Sequence, residues 1–175
     1  GKLEPRRNIP FLLTVAKKAI ECHADIHFTI VGTGEEHYLE RIMPLIDKLA
    51  RTGQLHYWTK ATQAELRNVY QNADLMLFPS NYEIYGMVLM EAMYFGVACI
   101  SSMNGGAASL IENGTDGMIL ESFDTDQWVG AIDELRQDHN RLNVIKKNAE
   151  TKIKTGYTWD RLVPEFTERY QKAKL

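Results

Sequence analysis

Glu83 and Glu91 stand eight residues apart in the segment Pro79-Ser-Asn-Tyr-Glu-Ile-Tyr-Gly-Met-Val-Leu-Met-Glu-Ala-Met93. The apolar run after Gly86 predicts a helix, Met87 to Phe95, with Glu83 just ahead of it and Gly86 and Met87 at its first turn. Backbone N–H groups in a first turn have no helical partner and carry positive partial charge, which suits a phosphate or a sugar oxygen. Glu91 would sit about two turns further along, among Met, Val, Leu and Ala, where a carboxylate is costly unless something hydrogen-bonds it. The structural alternative makes Glu83 a helix-terminus charge and Glu91 a buried partner of an arginine.

A second candidate is Gly32-Thr33-Gly34, which follows an apolar strand and leads into a helix. It is half of a dinucleotide fingerprint without the third glycine, and it reads either as a close approach to a ligand or as a plain strand-to-helix turn. The missing glycine, and the lack of a Walker lysine, argue against an NAD enzyme and a P-loop ATPase. The five histidines (23, 27, 37, 56 and 139) show no metal-ligand spacing, so no metal site is expected.

The elements that must position these residues alternate along the chain. Helices are predicted over 9–22, 35–51, 62–71, 87–95 and 108–112, with Pro44 inside the second and a Thr62/Glu65 capping box on the third. Strands are predicted over 26–31, 54–58, 74–78, 97–101 and 118–120. Three helical stretches close the chain, about 124–137, 139–155 and 158–173. This pattern indicates α/β units: a doubly wound, Rossmann-like parallel sheet with helices on both faces and a helical C-terminal tail. In that class ligands lie beyond the carboxyl ends of the strands, here the loops starting at Gly1, Gly32, Trp58, Pro79, Ser101 and Leu120.

Composition sets the limits. The 175 residues are 45% hydrophobic and 25% charged, which fits one folded domain and excludes a mainly disordered chain. Basic and acidic residues number 10 and 9 through residue 80 and 10 and 14 beyond it, so neither half is a polycation and a nucleic-acid partner is not expected. Cys22 and Cys99 both lie in apolar settings, as two buried free thiols in a reducing cytosol would. No apolar run reaches the ~18 residues of a membrane span. Lys146, Lys147, Lys152 and Lys154 line one amphipathic helix, a solvated face or a surface for anionic membrane contact.

Glu83, seven residues and Glu91, with Gly86 and an apolar residue after the first glutamate, resemble the retaining nucleotide-sugar glycosyltransferases of family 4 (glycosyl transferases group 1, GT-B fold). Other segments are similar in the same order: Gly1-Lys2-Leu3 through Arg7 to the family's opening Gly-Arg-Leu motif with a later Lys, Gly32-Thr33-Gly34 to its second glycine loop, Phe78-Pro79-Ser80 to its Pro-Ser step, and Asn104-Gly105-Gly106 to its double-glycine loop. Trp159 with Tyr170 resembles its closing helix. The resemblance covers nearly the whole chain and implies that residues 1–175 are one nucleotide-sugar-binding domain. It further implies the C-terminal half of a two-domain enzyme whose N-terminal acceptor domain and first strand precede Gly1.

Carried over by position, Lys2 and Arg7 would hold the donor diphosphate, Glu83 would contact the transferred sugar, and Glu91 would bind the ribose hydroxyls. Tyr85, Gly86 and Met87 would offer backbone N–H groups, with Gly32, Gly34 and Ser80 lining the site and Trp58, Thr59 and Lys60 lying against the base. Lys2 stands where the family usually has Arg, Arg7 where it usually has Lys, Ser109 where Glu is common and Ile84 where Gly is frequent. Arg and Lys do not make the same bonds, although the total charge is kept. The resemblance implies sugar transfer from a nucleotide-diphosphate sugar, as substrate and without a cofactor or metal, to a saccharide or lipid-linked hydroxyl held by the N-terminal domain. Polysaccharide or glycolipid assembly in the cytoplasm, with peripheral membrane contact of the whole enzyme, follows as an expectation. A non-catalytic nucleotide-binding module and a sugar-nucleotide epimerase on a related scaffold are the alternatives.

Overall fold

A computed structural model describes residues 1–172. Seven strands alternate with the first five helices: β1 (Lys2–Leu3), α1 (Ile9–Cys22), β2 (Phe28–Val31), β3 (Thr33–Gly34), α2 (Glu36–Ala50), β4 (Leu55–Trp58), α3 (Gln63–Gln71), β5 (Leu75–Phe78), α4 (Met87–Tyr94), β6 (Ala98–Ser102), α5 (Gly105–Leu110) and β7 (Met118–Leu120). Helices α6 (Thr125–Gln137), α7 (His139–Gly156) and α8 (Trp159–Lys172) follow without a strand between them. The predicted end of the tail at residue 173 lies outside the described residues.

All pairings between these strands are parallel, in three short sheets: β1–β3, β2–β4 and β5–β6–β7. Helices cover both faces, as β6 shows. Its Ala98 and Ile100 pack with Trp128, Ile132 and Leu135 of α6, whereas Cys99 between them packs with Leu89 and Met93 of α4. A strand buried on both sides has no need of polar alternation, and all five residues of β6 are buried. A third cluster joins Leu13 and Ala16 of α1 to Ile42 and Ile46 of α2 and to Ile30 and Leu55 of β2 and β4.

Local chemistry sets several boundaries. Thr62 and Glu65 form the capping box at the start of α3, with both reciprocal hydrogen bonds present. The expected helix over 108–112 instead starts at Gly105, because the Asn104 side chain accepts from the Ala107 N–H at 2.9 Å and caps it there. Gly32-Thr33-Gly34 is not a free loop: Thr33 and Gly34 pair with Lys2 and Leu3. A Cβ on Gly32 would overlap the Gly1 carbonyl oxygen, and one on Gly34 the Leu3 carbonyl oxygen. Both glycines thus admit the close approach of a neighbouring backbone.

The two cysteines differ. Cys99 is buried, and burial pushes its thiol up to about 12, but Cys22 is exposed at the end of α1. Apolar neighbours in sequence misled here, since Cys22 lies on the outer face of its helix. Native protein should therefore react with one equivalent of a thiol reagent near pH 8 and with two after denaturation. Two fast equivalents in the native state would contradict the burial of Cys99.

The lysines of α7 are all paired. Lys146 meets Asp74 at 3.0 Å, Lys152 meets the buried Asp116 at 2.6 Å, and Lys147 and Lys154 flank Glu150 at 3.4 and 2.6 Å. The cationic stripe seen in the sequence is thus balanced by carboxylates. Among the described residues no helix is long and apolar enough to cross a membrane.

Candidate functional site

A short 3₁₀ turn, Pro5–Arg7, carries the chain from β1 to α1 and lies against the segment that leaves β5. Three long-range bonds fasten the two. The Ser80 hydroxyl and the Asn81 N–H both donate to the Arg6 carbonyl, at 3.2 and 2.8 Å, and Asn8 Nδ2 donates to Asn81 Oδ1 at 3.5 Å. Asn8 itself is left-handed (φ 51°), a conformation that asparagine tolerates better than most residues, and this turns the chain from the 3₁₀ turn directly into α1.

That docking brings Arg7 onto Glu83. One guanidinium N–H of Arg7 donates to Glu83 Oε2, while Arg6 Nη1 stands 3.6 Å from Oε1. The Arg7 guanidinium also lies over the Phe78 ring, 4.9 Å from its centre. Glu4 completes the cluster by accepting from Arg6 Nε at 2.8 Å. Glu83 is only 9% exposed. Burial alone would raise its pKa, but the charges of Arg7 and Arg6, the Arg7 hydrogen bond and the Ile84 N–H at 3.2 Å outweigh it and hold the carboxyl below its ordinary range. Glu83 is therefore an anion that orients two guanidiniums. A proton-donating acid is not the role this environment favours.

The carbonyl of Glu83 accepts from the Gly106 N–H at 2.8 Å, which ties this segment to the start of α5. Gly86 then caps α4 with φ 64°, a backbone shape costly for a residue with a Cβ, and its carbonyl accepts from Leu89 and Met90. Gly106 packs against both the Gly86 nitrogen and the Glu83 side chain, which sets the start of α4 next to the Arg7–Glu83 pair. Tyr85 and Met87 flank Gly86 with side chains 75% and 59% exposed. This end combines a helix N-terminus with a guanidinium that still has donors to offer, which is the chemistry of an anion site.

The other expected residues divide. Lys2 is exposed and not in the Arg7 cluster; its ammonium is 4.0 Å from Glu35 on the rim of an open cavity of about 440 Å³ lined by Gly1, Lys2, Thr33, Gly34 and Glu35. Such an exposed pair contributes little and leaves Lys2 free to meet another anion. Ser80 is fully buried, with its hydroxyl bonded to the protein, so it supports the Arg6–Arg7 turn rather than facing a ligand. Trp58 ends β4, 41% exposed, and its carbonyl accepts from Gly32 N–H at 2.9 Å; Thr59 and Lys60 are exposed beyond it.

Glu91 corrects the expectation of a buried carboxylate. It lies on the exposed side of α4, and its partner is a phenol: Tyr70 OH donates to Oε2 at 3.1 Å. A Cβ on Gly1 would meet Val88, one turn before Glu91, at 3.9 Å, so the chain entering β1 lies against this helix. Sequence reasoning missed Glu4, Arg6 and Tyr70. The adjacent Arg6-Arg7 pair was the one visible signal for the first two; nothing local marks Tyr70.

The sequence profile described as Glycosyl transferases group 1 matches residues 1–152. The chain belongs to that family. A UDP-Gal:alpha-D-GlcNAc-diphosphoundecaprenol alpha-1,3-galactosyltransferase of Escherichia coli is 28% identical over 177 residues, covering 97% of this chain and 43% of that protein. Among solved structures, Anabaena HepE in complex with UDP superposes with a TM-score of 0.86 at 19% identity, over 98% of this chain and 47% of that one. The C-terminal domain of a glycosyl transferase group 1 family protein from Francisella tularensis gives 0.81 at 20% identity, over 91% and 84%. The fold is that of such C-terminal domains, and the chain spans less than half the length of the curated relatives it matches.

Proposed function

We propose that this chain is the donor-binding part of a family 4 glycosyltransferase that moves a sugar from a nucleotide-diphosphate sugar to a hydroxyl, with retention of anomeric configuration. The observation that carries this reading is the Arg7–Glu83 pair docked at the N-terminus of α4. Arg7, the first-turn N–H groups around Met87 and, from the rim, Lys2 would neutralise the leaving diphosphate, with Glu83 fixing Arg7. A diphosphate can take the guanidinium donors that Glu83 leaves open, so binding does not require the pair to break. Glu91 would accept from the ribose hydroxyls, and Trp58, Thr59 and Lys60 would border the base. The acceptor, a saccharide or lipid-linked alcohol in polysaccharide or glycolipid assembly, would be held by a separate N-terminal domain, and the fragment alone would transfer nothing. The UDP-Gal donor of the Escherichia coli relative and the UDP bound to HepE favour a uridine nucleotide.

A thermal-shift screen with UDP, GDP, ADP and their sugars tests this. At a hundredfold excess over Kd the matching nucleotide should add about 2.7 kcal/mol, a rise of roughly 5–10 °C. The shift should persist in EDTA, because protein cations replace a metal. No shift from any nucleotide diphosphate or its sugar would sink the proposal, and loss of the shift in EDTA would sink its metal-free form. Glu91→Ala should weaken nucleotide diphosphates by roughly 1.5–3 kcal/mol. Because Glu91 is exposed, the unliganded protein should keep its stability within about 0.5 kcal/mol, measured by melting with and without nucleotide.

A further inference from the structure

Tyr70, at the end of α3, touches Glu91 on α4 and Phe95 one turn on, at the cap that ends that helix. Its ring stacks on Phe95 with centroids 5.6 Å apart and planes 11° from parallel, and its hydroxyl donates to Glu91 Oε2 at 3.1 Å. Phe95 in turn meets Tyr94 edge-on at 5.2 Å, with Lys154 over the Tyr94 ring at 5.0 Å. The phenol is therefore held by a stacked platform, and it points along α4 to the carboxylate. Glu91 is otherwise an exposed side chain with three rotatable bonds, which gains from a fixed donor on one oxygen.

We propose that Tyr70 is a positioning residue for Glu91: it holds one carboxylate oxygen so that the other faces the vicinal hydroxyls of a ribose. This rests on the reading of Glu91 given under Proposed function. Burial of Tyr70 first, and the Glu91 charge second, raise the phenol above its ordinary pKa, so it remains a donor throughout the working range. The arrangement also explains why an exposed glutamate on α4 has an aromatic neighbour rather than a lysine. A phenol leaves the carboxylate its full charge and competes weakly with an incoming diol, whereas an ammonium would neutralise it.

The test measures binding of UDP, GDP and ADP and of their 2′,3′-dideoxy counterparts to wild type, Tyr70→Phe and Glu91→Gln by calorimetry. Wild type should prefer the ribose form. Tyr70→Phe keeps the ring on Phe95 and should lose about three- to tenfold in affinity for the ribose form, with little change for the dideoxy form. Glu91→Gln should shrink the same preference, and the double variant should add little to Glu91→Gln alone. Equal loss for both forms in Tyr70→Phe would mean that Tyr70 only packs, and no loss for either would remove the coupling. A wild type that binds diphosphates without preferring ribose would overturn this inference while leaving the proposed function standing; no binding at all would overturn both.

Discussion

Gly34→Ala is expected to lower stability by roughly 2–4 kcal/mol and the melting temperature by about 5–15 °C. The added carbon would overlap the Leu3 carbonyl oxygen, and backbone, unlike a flexible side chain, cannot turn aside. β1 would have to leave β3, taking with it Lys2 and the Glu4–Arg7 turn that follows. Nucleotide affinity should therefore fall together with stability. Gly130→Ala is the control: Gly130 is exposed in the middle of α6 with nothing within 4 Å of a new Cβ, and alanine there should raise stability by roughly 0.5–1 kcal/mol. Thermal melts of the two variants decide the matter, and a Gly34→Ala melt equal to wild type would mean that β1 and β3 are not paired in solution.

Arg7→Ala should cost about 3 kcal/mol, near the lower end of the range for breaking a buried pair, because Arg6 still stands 3.6 Å from the carboxylate left behind. Arg6→Ala, which removes the more exposed guanidinium, should cost less than about 1 kcal/mol. Arg7→Lys should restore only part of the loss, since an ammonium cannot reproduce both the bond to Glu83 and the contact over Phe78. The pair also has a pH signature. The folded pKa of Glu83 lies below its unfolded value near 4.5, so its contribution is complete above that value and disappears as pH falls through the folded pKa. Glu83→Gln should therefore melt below wild type at pH 7, and the gap should close on acidification below about 4.5. A gap that stays constant down to pH 3 would show that the charge of Glu83 is not what matters.

Much of the fold could be read from the chain because its signals are local. α1 and β7 have the bounds that their apolar spacing predicts, and the Thr62/Glu65 box starts α3 where a reciprocal cap must. The candidate site was only half legible. Glu83, Arg7 and the Gly86 start of α4 could be picked out by residue type and by family resemblance. Their relation could not, because Arg7 and Glu83 are separated by 76 positions and are joined through the Ser80 and Asn81 bonds to the Arg6 carbonyl. Ser80 was visible as a motif residue, yet only its complete burial shows that it supports the turn.

The sequence by itself determined the α/β fold, with helices and parallel strands in alternation and the candidate residues in the loops at the carboxyl ends of the strands. Periodicity, caps and turn residues act over a few positions, and each is written in the order of the side chains. The tertiary structure decided where each candidate sits and what it touches. It set Gly32 and Gly34 against the backbone of Gly1 and Leu3, paired the lysines of α7 with carboxylates, and placed Glu91 in the open beside Tyr70. Burial and pairing depend on which distant segment comes to lie alongside, and that is set by packing of the whole chain rather than by neighbours in sequence.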